Sequence, residues 1–347
     1  MLNINLFQNQ RNWQTINEQV LDLVNEDHTV GRAQNGSLME KLEITLAKRF
    51  NRQHCVTVAS CTDALVISML AMDLKPNSKV AVPNYTFTAS AHAVARAGHT
   101  VVPVDVGANY CYDPLAEAPI VDAVVGVDMF GNMCDWEVIQ HLGLPTINDA
   151  AQSIESHNGK KHSAEYGDVA CLSFSPTKTI SSWGSGGAIL TNSKQIADKA
   201  RKLRLHGKET NNATAIHAGM NSMMSSFECA CVLVGLEHSA EWQTRRHKIA
   251  SYLRENSRYR CATSNLRSHT HSKLVFQSEQ RSQVQSELKE KGIASTVHYT
   301  LMLNDEPLYR GGKSLPISTR LKEISFTVPN QHTLTDAEVE YIGKNLK

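Results

Sequence analysis

One lysine and one aspartate are the residues best placed to do chemistry. Lys178 lies in residues 173–192, just past residues 171–175, which alternate like a strand. Pro176 turns the chain there, and small hydroxyl residues flank the lysine. A glycine-rich loop, 184–187, follows and leads into a second apolar strand, 188–191. Asp149 opens the segment Asp149-Ala150-Ala151-Gln152, directly after the strand-like residues 146–148. An amine near a strand end can condense with an aldehyde. A carboxylate beside an aromatic ring nitrogen keeps that nitrogen protonated, and a protonated ring is an electron sink.

Pyridoxal 5'-phosphate (PLP) needs both groups, together with donors for a phosphate and a flat side chain against the ring. Residues 60–63, Ser-Cys-Thr-Asp, lie between a strand at 55–59 and a helix from about 64 to 74. Free N–H groups at such a helix start attract anions. Phe87 is the candidate for the ring face and Gln152 for the ring hydroxyl. Each has a plainer role open to it: a helix cap for Ser60 or Thr62, core for Phe87, a solvated turn for Lys178, a loop cap for Asp149. The stronger signal is shared placement, because Thr62, Phe87, Asp149 and Lys178 all follow predicted strands. In open α/β sheets ligands gather at that edge.

The elements that must carry these residues alternate. Strands are expected at 79–82, 100–106, 123–127 and 146–148, with helices at 88–97 and 136–142 between them. That order predicts a parallel sheet covered on both faces. Two helices, 12–30 and 36–50, joined by 31–36, form an N-terminal arm packed on the main domain or a neighbouring subunit. A basic helix runs from 193 to about 205. A long helix, 226–258, leaves the large domain. A smaller α/β unit follows, with strands at 272–277 and 294–299 around a helix at 280–291, and a last helix capped by Thr335 and Glu338.

Composition narrows the class. The 347 residues exceed what one core usually supports, so one large and one small domain are expected. Hydrophobic content of 41%, charged content of 20% and a net charge of +1 suit a globular enzyme and give no pull toward nucleic acid or membrane. No apolar run is long enough for a membrane span, and the N-terminus has no signal-peptide pattern. Eight scattered cysteines without a C-x-x-C pair point to reduced thiols in a cytoplasm. Fifteen histidines without H-E-x-x-H spacing make a metal site unexpected.

Six segments then act together: Ser60-Cys61-Thr62-Asp63-Ala64, Val82-Pro83-Asn84-Tyr85-Thr86-Phe87, Asp149-Ala150-Ala151-Gln152, Gly167-Asp168 with Ser173-Phe174-Ser175-Pro176-Thr177-Lys178, Gly219-Met220-Asn221, and Gly292-Ile293 with His298-Tyr299. In these the chain resembles the DegT/DnrJ/EryC1/StrS family of sugar aminotransferases, from about residue 36 to the C-terminus. The resemblance implies an α/β protein of PLP fold type I. It has a large domain with a mostly parallel sheet (1–225) and a smaller C-terminal α/β domain (226–347). It further implies that Lys178 forms the Schiff base and shuttles a proton, Asp149 pairs with the ring nitrogen, Gln152 meets the ring hydroxyl and Phe87 stacks on the ring. Thr62, the Asp63 backbone and Ser173 would hold the phosphate. Asn221 would reach the phosphate of a neighbouring subunit, making a homodimer, and His298 and Tyr299 would lie near the sugar. The implied reaction moves an amino group from an amino acid, usually glutamate and less often glutamine, to a keto sugar that is commonly nucleotide-linked.

Four positions depart from the family pattern: Cys61 for glycine, Ser185 for a frequent aspartate, Met223 for arginine and Thr300 for proline. They keep a catalytically silent PLP-binding regulator open as an alternative. A sugar dehydratase would carry histidine at the position of Lys178. A nucleotide site on the glycine loop fits poorly, because that loop precedes a strand and not a helix.

Overall fold

Seven strands form the central sheet of the structure, a computed structural model that describes residues 3–27, 36–115, 119–210, 213–264, 266–310 and 313–347. In chain order the elements are α1 (Asn9–Glu26), α2 (Ser37–Arg49), β1 (His54–Val58), α3 (Cys61–Ala71), β2 (Lys79–Pro83), α4 (Ala89–Arg96), β3 (Thr100–Val104), β4 (Ala123–Val127), α5 (Trp136–His141), β5 (Thr146–Asp149), β6 (Val169–Ser173), β7 (Gly187–Thr191) and α6 (Lys194–Arg204). There follow α7 (Ser226–Glu255), β8 (Arg260–Cys261), β9 (Leu274–Gln277), α8 (Arg281–Glu290), α9 (Pro316–Ile324), β10 (Ser325–Val328) and α10 (Asp336–Lys344). The large sheet runs β1-β7-β6-β5-β4-β2-β3. Its pairings are parallel except at β7, which is antiparallel to both β6 and β1.

The strands are buried because helices cover both faces. β4 reads Ala-Val-Val-Gly-Val with every residue buried, the continuous apolar run of a strand covered on two sides. Alternate residues of β7 enter different cores. Ile189 joins one that holds Ile67, Val80 and Val125, while Leu190 joins another with Leu42, Leu172 and Val232. A third core around Ile249, Leu253, Phe276, Phe326 and Ile342 belongs to the small antiparallel sheet β10-β9-β8. The 30-residue α7 passes from the second core into the third, over about 45 Å at 1.5 Å per residue. Ser225 and Glu228 cap its start reciprocally.

The N-terminal arm packs on this chain. α1 lies along α7, Trp13 meets Trp183 at 5.1 Å between ring centroids, and Ile4 pairs with Ile293. The expected connection at 31–36, apart from Gly36, and the last residues of the first expected helix lie outside the described residues. No helix among the described residues is long and apolar enough to cross a membrane.

Two expectations change. Residues 294–299 are not a strand: Thr296 makes one isolated bridge to Thr327, and the chain then leaves the small sheet. The hydroxyl of Tyr85, in the core that holds Val80 and Val125, donates to the carbonyl of His298, which draws this segment across to the central sheet. In its place β10, formed after α9, pairs with β9. The expected strand at 100–106 ends at Val104, whose carbonyl accepts the N–H of Asn84.

β7 passes close to the start of α3. A Cβ on Gly187 would stand 2.6 Å from the backbone of Ser60 and Cys61. Gly187→Ala must therefore push the strand off the helix start, and it is expected to destabilise the protein by about 1–3 kcal/mol. A melting temperature equal to that of the unsubstituted protein would show that the crossing is not tight.

Candidate active site

At the carboxyl edge of the central sheet, the strand ends meet around a cavity of about 170 Å³. β5 ends on Asp149 and β6 on Ser173. β1 leads into Cys61 and Thr62 of α3, and β2 into Thr86 and Phe87. The loop between β6 and β7 brings Lys178, Ser185 and Gly186 to the same wall.

Asp149 is buried. Ser90 Oγ donates to its Oδ2 at 2.7 Å, and the Ala151 N–H donates to Oδ1 at 3.1 Å. Burial pushes the carboxyl above its ordinary range, and these hydrogen bonds and Lys178 oppose the rise. Lys178 moves the other way: burial lowers it, against the pull of Cys61 and Asp149. A lowered amine has a larger neutral fraction, the form that attacks a carbonyl. A carboxylate in a low-dielectric site is a strong partner for a ring N–H.

The start of α3 can take an anion, though not through the group expected. Ser60 Oγ accepts the N–H of Asp63 at 3.1 Å, so the cap already uses that donor. Cys61 and Thr62, in the first turn, have N–H groups without an intrahelical acceptor. The Asp63 carboxylate accepts from Ser222 Oγ at 2.7 Å, and Ser222 Oγ accepts from the Ala59 N–H at 3.1 Å. Asp63 thus ties the loop after Asn221 to the helix start. Asn221 itself is exposed, bridges to Leu205 and does not line the cavity of its own chain.

Phe87 lies on the cavity wall between β2 and α4, with 55% of its surface exposed. Its ring centroid is 5.6 Å from that of Tyr299. Gln152 is buried and held on both sides: the Phe130 N–H donates to Oε1 at 3.2 Å, and Nε2 donates to Tyr299 Oη at 3.1 Å. The expected pair His298-Tyr299 is split. Tyr299 lines the cavity, whereas His298 does not; its Nδ1 lies 3.2 Å from Thr327 Oγ1. Burial, then Lys273 and Lys178, drive the His298 imidazole down to about 3.

Sequence reasoning passed over three residues. Ser90 steadies Asp149 from one helical turn beyond Phe87, and Thr86 Oγ1 lies 3.0 Å from Ser90 Oγ. The hydroxyl-rich run Thr86-Phe87-Thr88-Ala89-Ser90 was the available signal. Lys273 is buried, donating from Nζ to the carbonyls of Thr177 (3.2 Å) and Ser272 (3.1 Å). Nothing near it in sequence marks it as other than an ordinary strand lysine.

The donor set meets the needs of PLP on one cavity: an amine, a buried carboxylate whose acceptors are only partly used, hydroxyls at Thr62 and Ser173, and a helix start. The family model for the DegT/DnrJ/EryC1/StrS aminotransferases matches residues 14–347. A "UDP-2-acetamido-2-deoxy-3-oxo-D-glucuronate aminotransferase" of Pseudomonas aeruginosa is 30% identical over 88% of this chain and 89% of its own. An aminotransferase of the same family from Brucella abortus has a TM-score of 0.92 at 24% identity, over 99% of this chain and 98% of that one. NtdA of Bacillus subtilis, solved with its bound cofactor PMP, has a TM-score of 0.91 at 22% identity, over 100% of this chain and 85% of that one.

The Asp149 shift has a consequence for stability. The folded carboxyl titrates above its ordinary 3.8, so its contribution is full below that value and is lost as pH rises through the folded one. In the ligand-free protein, Asp149→Asn is expected to raise the melting temperature near neutral pH, and the gain should vanish in acid. An asparagine variant less stable than the parent near neutrality would contradict this.

Proposed function

Because the chain belongs to the DegT/DnrJ/EryC1/StrS aminotransferase family, a family of PLP-dependent enzymes, we propose that it moves an amino group from glutamate to a nucleotide-linked keto sugar. The observation that carries the reading is the meeting of Lys178 and Asp149 on one cavity. PLP, when bound, supplies an aldehyde carbon and a protonated ring that withdraws electrons from the substrate carbon.

The chain's own groups divide the rest of the work. Asp149 holds a proton on the ring nitrogen. Thr62, Ser173 and the free N–H groups of the α3 start bind the phosphate, and Phe87 covers the ring. Gln152 donates to the ring hydroxyl. Lys178 would anchor the cofactor and, once its amine is free, would take the proton from the donor's α-carbon and carry it across the donor nitrogen. Its lowered pKa favours the neutral form that this proton transfer requires. The keto sugar then enters the same site and the sequence runs in reverse, which gives ping-pong kinetics.

Asn221 stands exposed and away from its own cavity, which supports the reading that it serves a second subunit in a homodimer. The nucleotide-sugar substrate is supported by the name of the Pseudomonas relative, and the glutamate donor rests on the resemblance to the family alone.

Mixing the PLP-loaded protein with glutamate should bleach its visible colour and yield pyridoxamine phosphate. Lys178→Ala should abolish turnover; full transamination by that variant would overturn the assignment. For the dimer, the Lys178→Ala chain is expected to be inactive alone and the Asn221→Asp chain weak, and activity should return when their subunits are exchanged. Mixed chains no better than the separate ones would argue against a shared site.

A further inference from the structure

Tyr299 stands in the wrong place for a residue that only touches the sugar. The sequence pairs it with His298, yet the structure sets His298 beside Thr327 and sends Tyr299 alone to the cavity. There its hydroxyl meets Gln152, not an open pocket wall.

The orientation of the Gln152 amide follows from its partners. The Phe130 N–H can only donate, so the amide oxygen must face it, at 3.2 Å. The amide nitrogen then faces Tyr299 Oη at 3.1 Å and Met129 Sδ at 3.4 Å. Burial, with Asp149 next, pushes the Tyr299 phenol upward, so its oxygen keeps its proton and accepts through a lone pair. One Gln152 N–H is thereby held by the phenol. The other rests on a thioether, a weak acceptor that an oxygen anion readily displaces.

We propose that Tyr299 is a positioning residue that acts through Gln152, fixing its amide so that an N–H points at the ring hydroxyl of the cofactor. This rests on the reading of Gln152 as the neighbour of that hydroxyl. A fixed donor stabilises the ring oxygen as an anion. It does so most when the nearby imine nitrogen has lost its proton, because that oxygen then has no internal donor. The pair therefore lowers the pH at which the visible chromophore of the loaded protein titrates. Tyr299→Phe leaves the amide tethered only through Phe130, so the effect weakens without vanishing.

The test is an absorbance titration of the PLP-loaded protein against pH, for the parent, Tyr299→Phe, Gln152→Leu and the double variant. Gln152→Leu should raise the midpoint by about one pH unit, the size of one hydrogen bond to a charged group. Tyr299→Phe should raise it by roughly half as much, and in the double variant Tyr299→Phe should add nothing beyond Gln152→Leu. A purely structural or sugar-binding Tyr299 predicts an unmoved midpoint, or a shift that persists without Gln152; either overturns the inference. Should Tyr299→Phe fail to fold, the parent protein still gives a test. The Gln152 side-chain amide, assigned by its loss in Gln152→Leu, should exchange its protons more slowly than exposed glutamines, and fast exchange would count against the proposal. The two levels of failure separate cleanly. If the parent takes up no PLP, or keeps its chromophore in Lys178→Ala, the reading of the whole site falls. If the parent titrates normally and Tyr299→Phe titrates with it, only the role of Tyr299 falls.

Discussion

Two groups whose charges burial opposes share one edge of the sheet, and the molecule is organised around keeping them there. Burial raises Asp149 and lowers Lys178, and each partly offsets the penalty on the other. Charges so placed do not stabilise a fold by themselves, because desolvation rivals their attraction. The position must be held by structure stabilised elsewhere. The continuous buried strands β4, β5 and β6 are that structure, and Ser90 with the Ala151 N–H supplies the local donors that make a buried carboxylate tolerable.

Sheet direction decides which loops can reach the pair. β1, β2, β4, β5 and β6 all end on the cavity side, so the helix start, Phe87, Asp149 and Ser173 arrive together. β7 runs antiparallel to β6, with Ser173 opposite Gly187. The loop carrying Lys178 therefore starts and ends at the cavity edge; a parallel partner would have required a crossover to the far edge. Glu228 secures the same loop, accepting the Ser185 N–H at 3.1 Å while it caps α7. The long helix that joins two of the cores also steadies the active-site wall.

What could be read from the sequence was local. Alternation marked most strands of the large sheet, and a strand followed by Thr62, Phe87, Asp149 or Lys178 predicted a common edge because parallel strands share a direction. Contacts between distant segments were not readable. Short strands such as Arg260–Cys261 owe their form to β9, and Ser325–Val328 to the same partner. Residues 294–299 have strand-like composition, but a tyrosine more than 200 positions away claims the His298 carbonyl. The Asp63 N–H looked free until its own cap was placed, since the choice between donating to an anion and donating to Ser60 Oγ depends on the helix beginning at Cys61.

Three of the departures from the family pattern, Cys61, Ser185 and Met223, fall at the helix start and in the loops around the buried pair, and Cys61 lies close enough to act on Lys178. Cys61 opens α3 beside the expected phosphate turn, where an anionic side chain would repel the ligand. Burial pushes its thiol well above the usual range, so the position stays neutral. Ser185 brings no carboxylate to the glycine loop, but Glu228 reaches in from α7 to hold its N–H. Met223 brings no guanidinium to the loop after Asn221. Ser222 holds that loop to Asp63, and Met224 packs so closely under Gly186 that a Cβ there would stand 2.9 Å from its Cε. Hydroxyl, carboxylate and thioether contacts thus fasten these loops around the cavity. The amine, the carboxylate and the helix start meet on the cavity whatever stands at these positions.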